Sequence, residues 1–134
     1  MRLAADANVL LEAVLGGRSR LVFSSPLVEE ILTTASVIAE VEEYAPILAA
    51  KRKLNPETVL LAVSALPVTV VPAVLYKRKL AEAARRMRDR DPEDVELLAL
   101  ALQLRIPIWS NDEDFSVARA PWFTTTALMS QLGF

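Results

Sequence analysis

Short apolar runs rich in β-branched residues alternate along this chain with longer stretches of three-and-four spacing. That alternation restricts it to an α/β fold with helices packed around a central parallel sheet. Residues 3–5 read as a buried strand ending at Asp6, and residues 30–34 as a second; 67–71, 105–109 and 123–125 read as three more. Asn8 is placed to cap a helix through Leu15, stopped by Gly16-Gly17, with a short helix over 18–24. From Ala35, the positions Val37, Ile38, Val41, Tyr44, Ile47 and Leu48 recur at helical spacing. Asn55-Pro56-Glu57 opens a helix to about Leu66. The basic stretch 75–88 reads as helical, with Leu75, Leu80, Ala83, Ala84 and Met87 inward. Asp91 caps the next helix and Pro92 suits its first position; 95–104 is apolar almost all round and is expected to be deeply buried. Residues 110–115 read as a polar loop.

The 134 residues suit one domain, residues 1–134, and 53% hydrophobic residues exclude a disordered chain. No apolar run approaches the ~20 residues that span a bilayer. The longest, 59–74, is interrupted by Ser64, Pro67, Thr69 and Pro72. The N-terminus reaches a charge too early for a signal peptide. The expectation is a soluble cytoplasmic protein.

The sequence contains no cysteine and no histidine. Disulfides, thiolate metal sites, cysteine nucleophiles and histidine bases are therefore excluded, and zinc would lack its commonest ligands. Carboxylates, hydroxyls, lysine and oxygen-ligated metals remain.

Net charge is −2, yet Lys77, Arg78, Lys79, Arg85, Arg86, Arg88 and Arg90 crowd one stretch in which only Glu82 and Asp89 oppose them. Two readings of it stay open: a solvated helix face, or a surface that follows the phosphate backbone of a nucleic acid.

The candidate chemical groups are Asp6, Glu40, Asp94, Asp112 and Asp114. Each also has a plain structural reading. Asp6 ends a strand and can cap a helix. Glu40 can be a solvated charge. Asp94 favours the helix dipole from the first turn. Asp112 and Asp114 can form an Asx turn. Should they converge, four or five carboxylates would repel one another, and the pocket would raise pKa values or hold a cation. Oxygen donors alone favour Mg²⁺ or Mn²⁺. A metal-activated water would then serve as nucleophile, with no protein nucleophile needed.

Four segments carry a family resemblance: 5–10 (Ala-Asp-Ala-Asn-Val-Leu), 34–41 (Thr-Ala-Ser-Val-Ile-Ala-Glu-Val), 91–101 with Asp91 and Asp94, and 108–115 with Asp112 and Asp114. In order and spacing they resemble the motifs of the PIN domain, including the toxins of VapC-like toxin–antitoxin pairs. The resemblance implies a three-layer α/β/α sandwich and Mg²⁺- or Mn²⁺-dependent cleavage of single-stranded RNA. It further implies a homodimer and, for a toxin, an antitoxin partner. Carried over by position, Asp6, Glu40, Asp94 and Asp112 become the catalytic acids, and Asp6, Asp94, Asp112 and Asp114 the metal ligands. Asn8 and Ser110 become polar supports. Two other readings compete: a PIN-like module that binds RNA or protein without cutting, and a phosphoacceptor receiver domain. The latter usually needs a late lysine, whereas the last here is Lys79. Trp109 and Trp122 are expected in the core or an interface.

Overall fold

A computed structural model describes residues 1–88 and 91–134; Asp89 and Arg90 of the basic stretch lie outside the described residues. Five strands form one parallel sheet in the order β3-β2-β1-β4-β5: β1 (Arg2–Ala5), β2 (Glu30–Thr34), β3 (Thr69–Val71), β4 (Ile108–Trp109) and β5 (Trp122–Phe123). Helices α1 (Ala7–Val14), α3 (Ala35–Lys51) and α4 (Pro56–Ser64) pack on one another. Helix α5 (Leu80–Met87) packs on α6 (Pro92–Leu104), and α2 (Arg20–Phe23) and α7 (Thr125–Gln131) complete the set. The sheet lies between helices as an α/β/α sandwich. Among the described helices none is long and apolar enough to cross a membrane.

The buried core is built on the middle of the sheet and on α6. Leu3, Ala4 and Ala5 of β1 and Leu97, Leu98, Ala99 and Leu100 of α6 are fully buried. Helix α6 begins as its sequence dictates, with Asp91 accepting from the Glu93 amide at 2.9 Å ahead of Pro92. Trp109 is wholly buried; it stacks obliquely on Phe23 and donates Nε1–H to Thr125 Oγ1 at 3.0 Å.

Several local expectations fail, each for a tertiary reason. Asp6, not Asn8, caps α1, because β1 ends directly at the helix and Asn8 already lies inside it. Residues 75–88 are not one helix. Two 3-10 turns, Ala73–Leu75 and Lys77–Lys79, precede α5. Tyr76 between them is buried and donates its hydroxyl to Glu96 of α6 at 2.9 Å, which breaks the helical path (φ −123°). Leu75 is consequently exposed, as is Ala84; only Ala83 and Met87 of the expected inward face are fully enclosed. Strand β4 is reduced to two residues, because Arg105 closes α6 in the left-handed conformation. Thr125 belongs to α7, which Thr124 caps, and the 110–115 loop continues into a 3-10 helix, Glu113–Ala118.

Candidate active site

The chain leaves β1 for β2 on one side and returns to β4 on the other, so the crevice at the carboxyl ends of β1 and β4 is a topological switch point. The register places Ala5 opposite Trp109, and the Asp6 amide continues the ladder by donating to the Trp109 carbonyl at 3.0 Å. Asp6 and Ser110 therefore leave the sheet side by side.

Ser110, fully buried, is the hub of the crevice. Its hydroxyl donates to Asp6 Oδ2 at 2.7 Å and accepts from Asn8 Nδ2 at 3.1 Å and from the Asp112 amide at 3.0 Å. Asn8 also donates to Asp6 Oδ2 at 3.0 Å and accepts the Asn111 amide at 3.0 Å. The other oxygen of Asp6 accepts the Ala7 amide at 2.8 Å. Asp112 caps the 3-10 helix by accepting the Asp114 amide at 2.9 Å. Trp122 holds the Ser110 carbonyl through Nε1–H at 2.8 Å. The structural readings of Asp6, Asp91 and Asp112 as caps thus hold together with their place in the crevice.

Asp94 completes the centre from the first turn of α6. Oxygens of Asp6, Asp94 and Asp112 lie within 4.8 Å of one another. Asp6 and Asp94 are buried and Asp112 partly so. The surrounding pocket, about 250 Å³, is lined by Asp6, Ala7, Asn8, Leu11, Glu40, Asp91, Glu93, Asp94, Asp112 and Asp114. It presents seven carboxylates and no cationic side chain among the described residues. Glu40 enters from α3, while Glu42 and Glu43 sit at exposed positions of the same helix.

Burial and mutual repulsion set the electrostatics. Burial raises the Asp94 carboxyl to about 7, helped by Asp6, Asp112, Asp91 and Asp114. Burial raises Asp6 too, and the nearby Asp112 charge adds to it; hydrogen bonds from Ser110, Ala7 and Asn8 pull the other way without cancelling it. Glu40 is raised by burial, then by Asp6, Asp91 and Glu43. Glu93 rises to about 7, first through its hydrogen bond with Asp91 and then through burial and neighbouring acids. Such a pocket holds protons or a cation at neutral pH. Three convergent oxygen donors without nitrogen or sulfur fit a hard divalent ion.

The basic residues lie elsewhere. None of Lys77, Arg78, Lys79, Arg85, Arg86 and Arg88 lines the acidic pocket. Arg78 and Lys79 border a hollow with Leu102, Gln103 and Arg105 near the far end of α6, and Lys77 is exposed beside them in sequence. Arg85, Arg86 and Arg88 border another with Glu82, Val117 and Arg119. Arg86 departs from the expected solvent-facing role. It donates to the carbonyls of Ala118 (3.2 Å) and Arg119 (3.0 Å) and pairs with Glu82 at 3.8 Å, so it ties α5 to the 3-10 helix. Sequence reasoning did not single out Glu93, and it gave Asp91 to capping alone; their nearness to Asp94 in sequence was the available signal. Arg105 and Arg119 carried none.

Residues 5–132 match the sequence profile of the PIN domain. No curated protein sequence matches the chain significantly. The structure is similar to VapC20 of Mycobacterium tuberculosis, a sarcin-ricin loop cleaving toxin. That match has a TM-score of 0.60 at 20% identity and covers 88% of this chain and 95% of the other. It is similar to VapBC2 from Rickettsia felis, solved with a DNA fragment from the promoter (0.63, 13% identity, 92% and 98% covered). FitAcB from Neisseria gonorrhoeae gives 0.57 at 19% identity, with 92% and 98% covered. At these identities the likeness is one of fold.

Proposed function

The chain belongs to the PIN-domain family, and from that premise we propose that it is a metal-dependent endoribonuclease that hydrolyses single-stranded RNA. The observation that carries this reading is the convergence of Asp6, Asp94 and Asp112 oxygens within 4.8 Å in a pocket lined by no cation among the described residues. We assign these three to hold Mg²⁺ or Mn²⁺, with Asp114 as a further ligand. A bound divalent ion would offset phosphate charge and make an attacking water more acidic. Asn8 and Ser110 fix the orientation of Asp6 by hydrogen bonding to Oδ2, so its carboxylate does not have to reorganise when substrate arrives. Glu40 stands on the α3 wall, its carboxyl raised by burial and by Asp6. It is assigned to accept the proton of water as the new P–O bond forms in line with the bond to the ribose oxygen that breaks, and that leaving oxygen takes a proton from solvent.

The same reading makes the chain one PIN-like domain over 1–134, working in the cytoplasm as a homodimer and as the toxin of a toxin–antitoxin pair. VapC20, which shares the fold, is a toxin that cleaves the sarcin-ricin loop. An antitoxin would block this pocket by placing an arginine among its carboxylates.

The test is cleavage of mixed-sequence single-stranded RNA by pure protein, with and without Mn²⁺, beside an Asp94→Asn control. Metal-dependent cutting that disappears in the control is the expected result. Cutting that the control retains would sink the site assignment. Binding without cutting would favour the non-catalytic module.

A further inference from the structure

Three helical segments end in an arginine whose backbone takes the left-handed conformation. These are Arg88 after α5 (φ 50°), Arg105 after α6 (φ 57°) and Arg119 after the 3-10 helix (φ 53°). A side chain is strained there, and glycine is the usual occupant. The chain does use glycine at two other such positions, Gly16 and Gly133. A cation at a helix C-terminus has a general benefit from the helix dipole, and Lys53 beyond α3 shows the same choice. That benefit does not explain why the three arginines border one cleft.

Arg105 borders two adjoining hollows, one with Arg78 and Lys79, the other with Leu102, Ile106 and Pro121. Arg119 joins the second hollow to a third, which also holds Arg85 and Arg88. Among the described residues the acid lining these three neighbouring hollows, taken together as one cleft, is Glu82, already paired with Arg86. The hollows share no lining residue with the acidic pocket, but two elements run from one to the other. The 3-10 helix begins after Asp112, carries Asp114 into the pocket and ends at Arg119. Helix α6 carries Asp94 in its first turn and Arg105 at its end, roughly 16 Å further along its axis at about 1.5 Å per residue.

We infer that this cleft binds the phosphate backbone of single-stranded RNA outside the acidic pocket, and so governs which RNAs the enzyme can hold. The choice of ligand rests on the nuclease reading. The acidic pocket repels phosphates, so affinity for a polyanion has to come from another surface. Guanidinium groups suit phosphate oxygens in two-pronged geometry. The apolar floor of Leu102, Ile106, Ala120 and Pro121 accepts base or ribose faces between the charges. An acidic protein segment lacks the regular charge spacing of a phosphate backbone.

Glycine tests this directly, because it removes each cation while relieving backbone strain. The full-length Arg88→Gly/Arg105→Gly/Arg119→Gly variant is compared with the wild type by thermal melting. Fluorescence anisotropy then follows labelled mixed-sequence single-stranded RNA over a salt series in EDTA. The variant should melt at or above the wild type and bind RNA at least tenfold more weakly. Its slope of log affinity against log salt should be shallower by about 2, from three contacts at about 0.7 each. Should it melt lower, Arg78→Gln/Arg85→Gln supplies the second reading, since both side chains are exposed; it must weaken RNA binding in the same way. Unchanged affinity and slope overturn the inference. So does loss of polyglutamate binding with RNA binding intact, which would assign the cleft to an acidic protein. Mn²⁺-dependent cleavage at subsaturating RNA that the glycine variant retains in full sinks the cleft and spares the nuclease. RNA binding lost in the variant, with no cleavage by the wild type, sustains the cleft and removes the nuclease.

Discussion

The two ends of α6 are opposites. At its start Asp91, Glu93 and Asp94 face a pocket in which the strand-end acids are held by hydrogen bonds from several elements. At its end Arg105 joins Arg78 and Lys79 around a hollow of about 310 Å³. The acidic end is over-determined: Asp6 alone accepts three hydrogen bonds, and Ser110 joins it to Asn8 and Asp112. The basic end is held by its backbone and leaves its side chains to solvent. Geometry is fixed where carboxylates must converge to within a metal's reach, and it is loose where charge alone is needed. A substitution at the acidic end should therefore change chemistry, pH response and stability together. A charge change at the basic end should move binding alone.

The sharpest way to break this contrast is at Asp94. Asp94→Asn should lower the Mn²⁺-dependent cleavage rate by about 10³-fold, the equivalent of several kcal/mol of transition-state stabilisation. The same substitution should stabilise the metal-free protein at pH 8. Initial rates and melting curves in EDTA read both effects, and a parallel fall in rate and stability would contradict them.

pH supplies the next test. Asp94 has a folded pKa of about 7, above its unfolded value near 3.9. Between those values the folded state binds the extra proton, so stability rises as pH falls from about 7 towards 4. Above pH 7 the full penalty of the buried charge is present. Melting temperature in EDTA should accordingly climb from pH 8 to pH 5, and Asp94→Asn should flatten the climb. A divalent ion competes with that proton, so metal affinity should weaken below pH 7; calorimetric titration with Mn²⁺ at two pH values measures it.

A smaller effect is expected at Ser110. Ser110→Ala strips the buried Asp6 Oδ2 and the Asp112 amide of a partner, which should cost about 1–3 kcal/mol in chemical denaturation. Rescue by Ser110→Thr, but not Ser110→Val, would show that the hydroxyl matters rather than the volume. Arg86→Ala should have the smallest effect, about 1 kcal/mol, from the lost bonds to two carbonyls at the end of the 3-10 helix. A large fall in RNA affinity without loss of stability in that variant would contradict its tethering role.

The parallel sheet and the positions of the acids were legible because they follow from local rules. Asp6 ends an apolar run, Asp94 sits three residues after a cap, and Asp112 follows a short strand. Val37 and Val41, both fully buried, flank Glu40 in sequence, and it is Glu40 rather than Glu42 or Glu43 that lines the pocket. Residues 75–88 misled because their helical spacing gave no sign that Tyr76 would be drawn under α6 to Glu96, its hydroxyl raised to about 12 by burial and that partner. Arg105 and Arg119 were silent for a similar reason. Their place in one cleft depends on α5 packing against the 3-10 helix, a contact between segments about thirty residues apart.

The bond from Ser110 to Asp6 spans 104 residues. During synthesis β1 and Asp6 are made before β4, so the Ser110 bond to that carboxylate, unlike those from Ala7 and Asn8, forms only after more than a hundred further residues. Until then the first strand has no β4 beside it and the pocket has only part of its wall. The order of the strands thus sets when the acidic centre can close: Asp6 and Asp94 wait for Asp112, which follows β4.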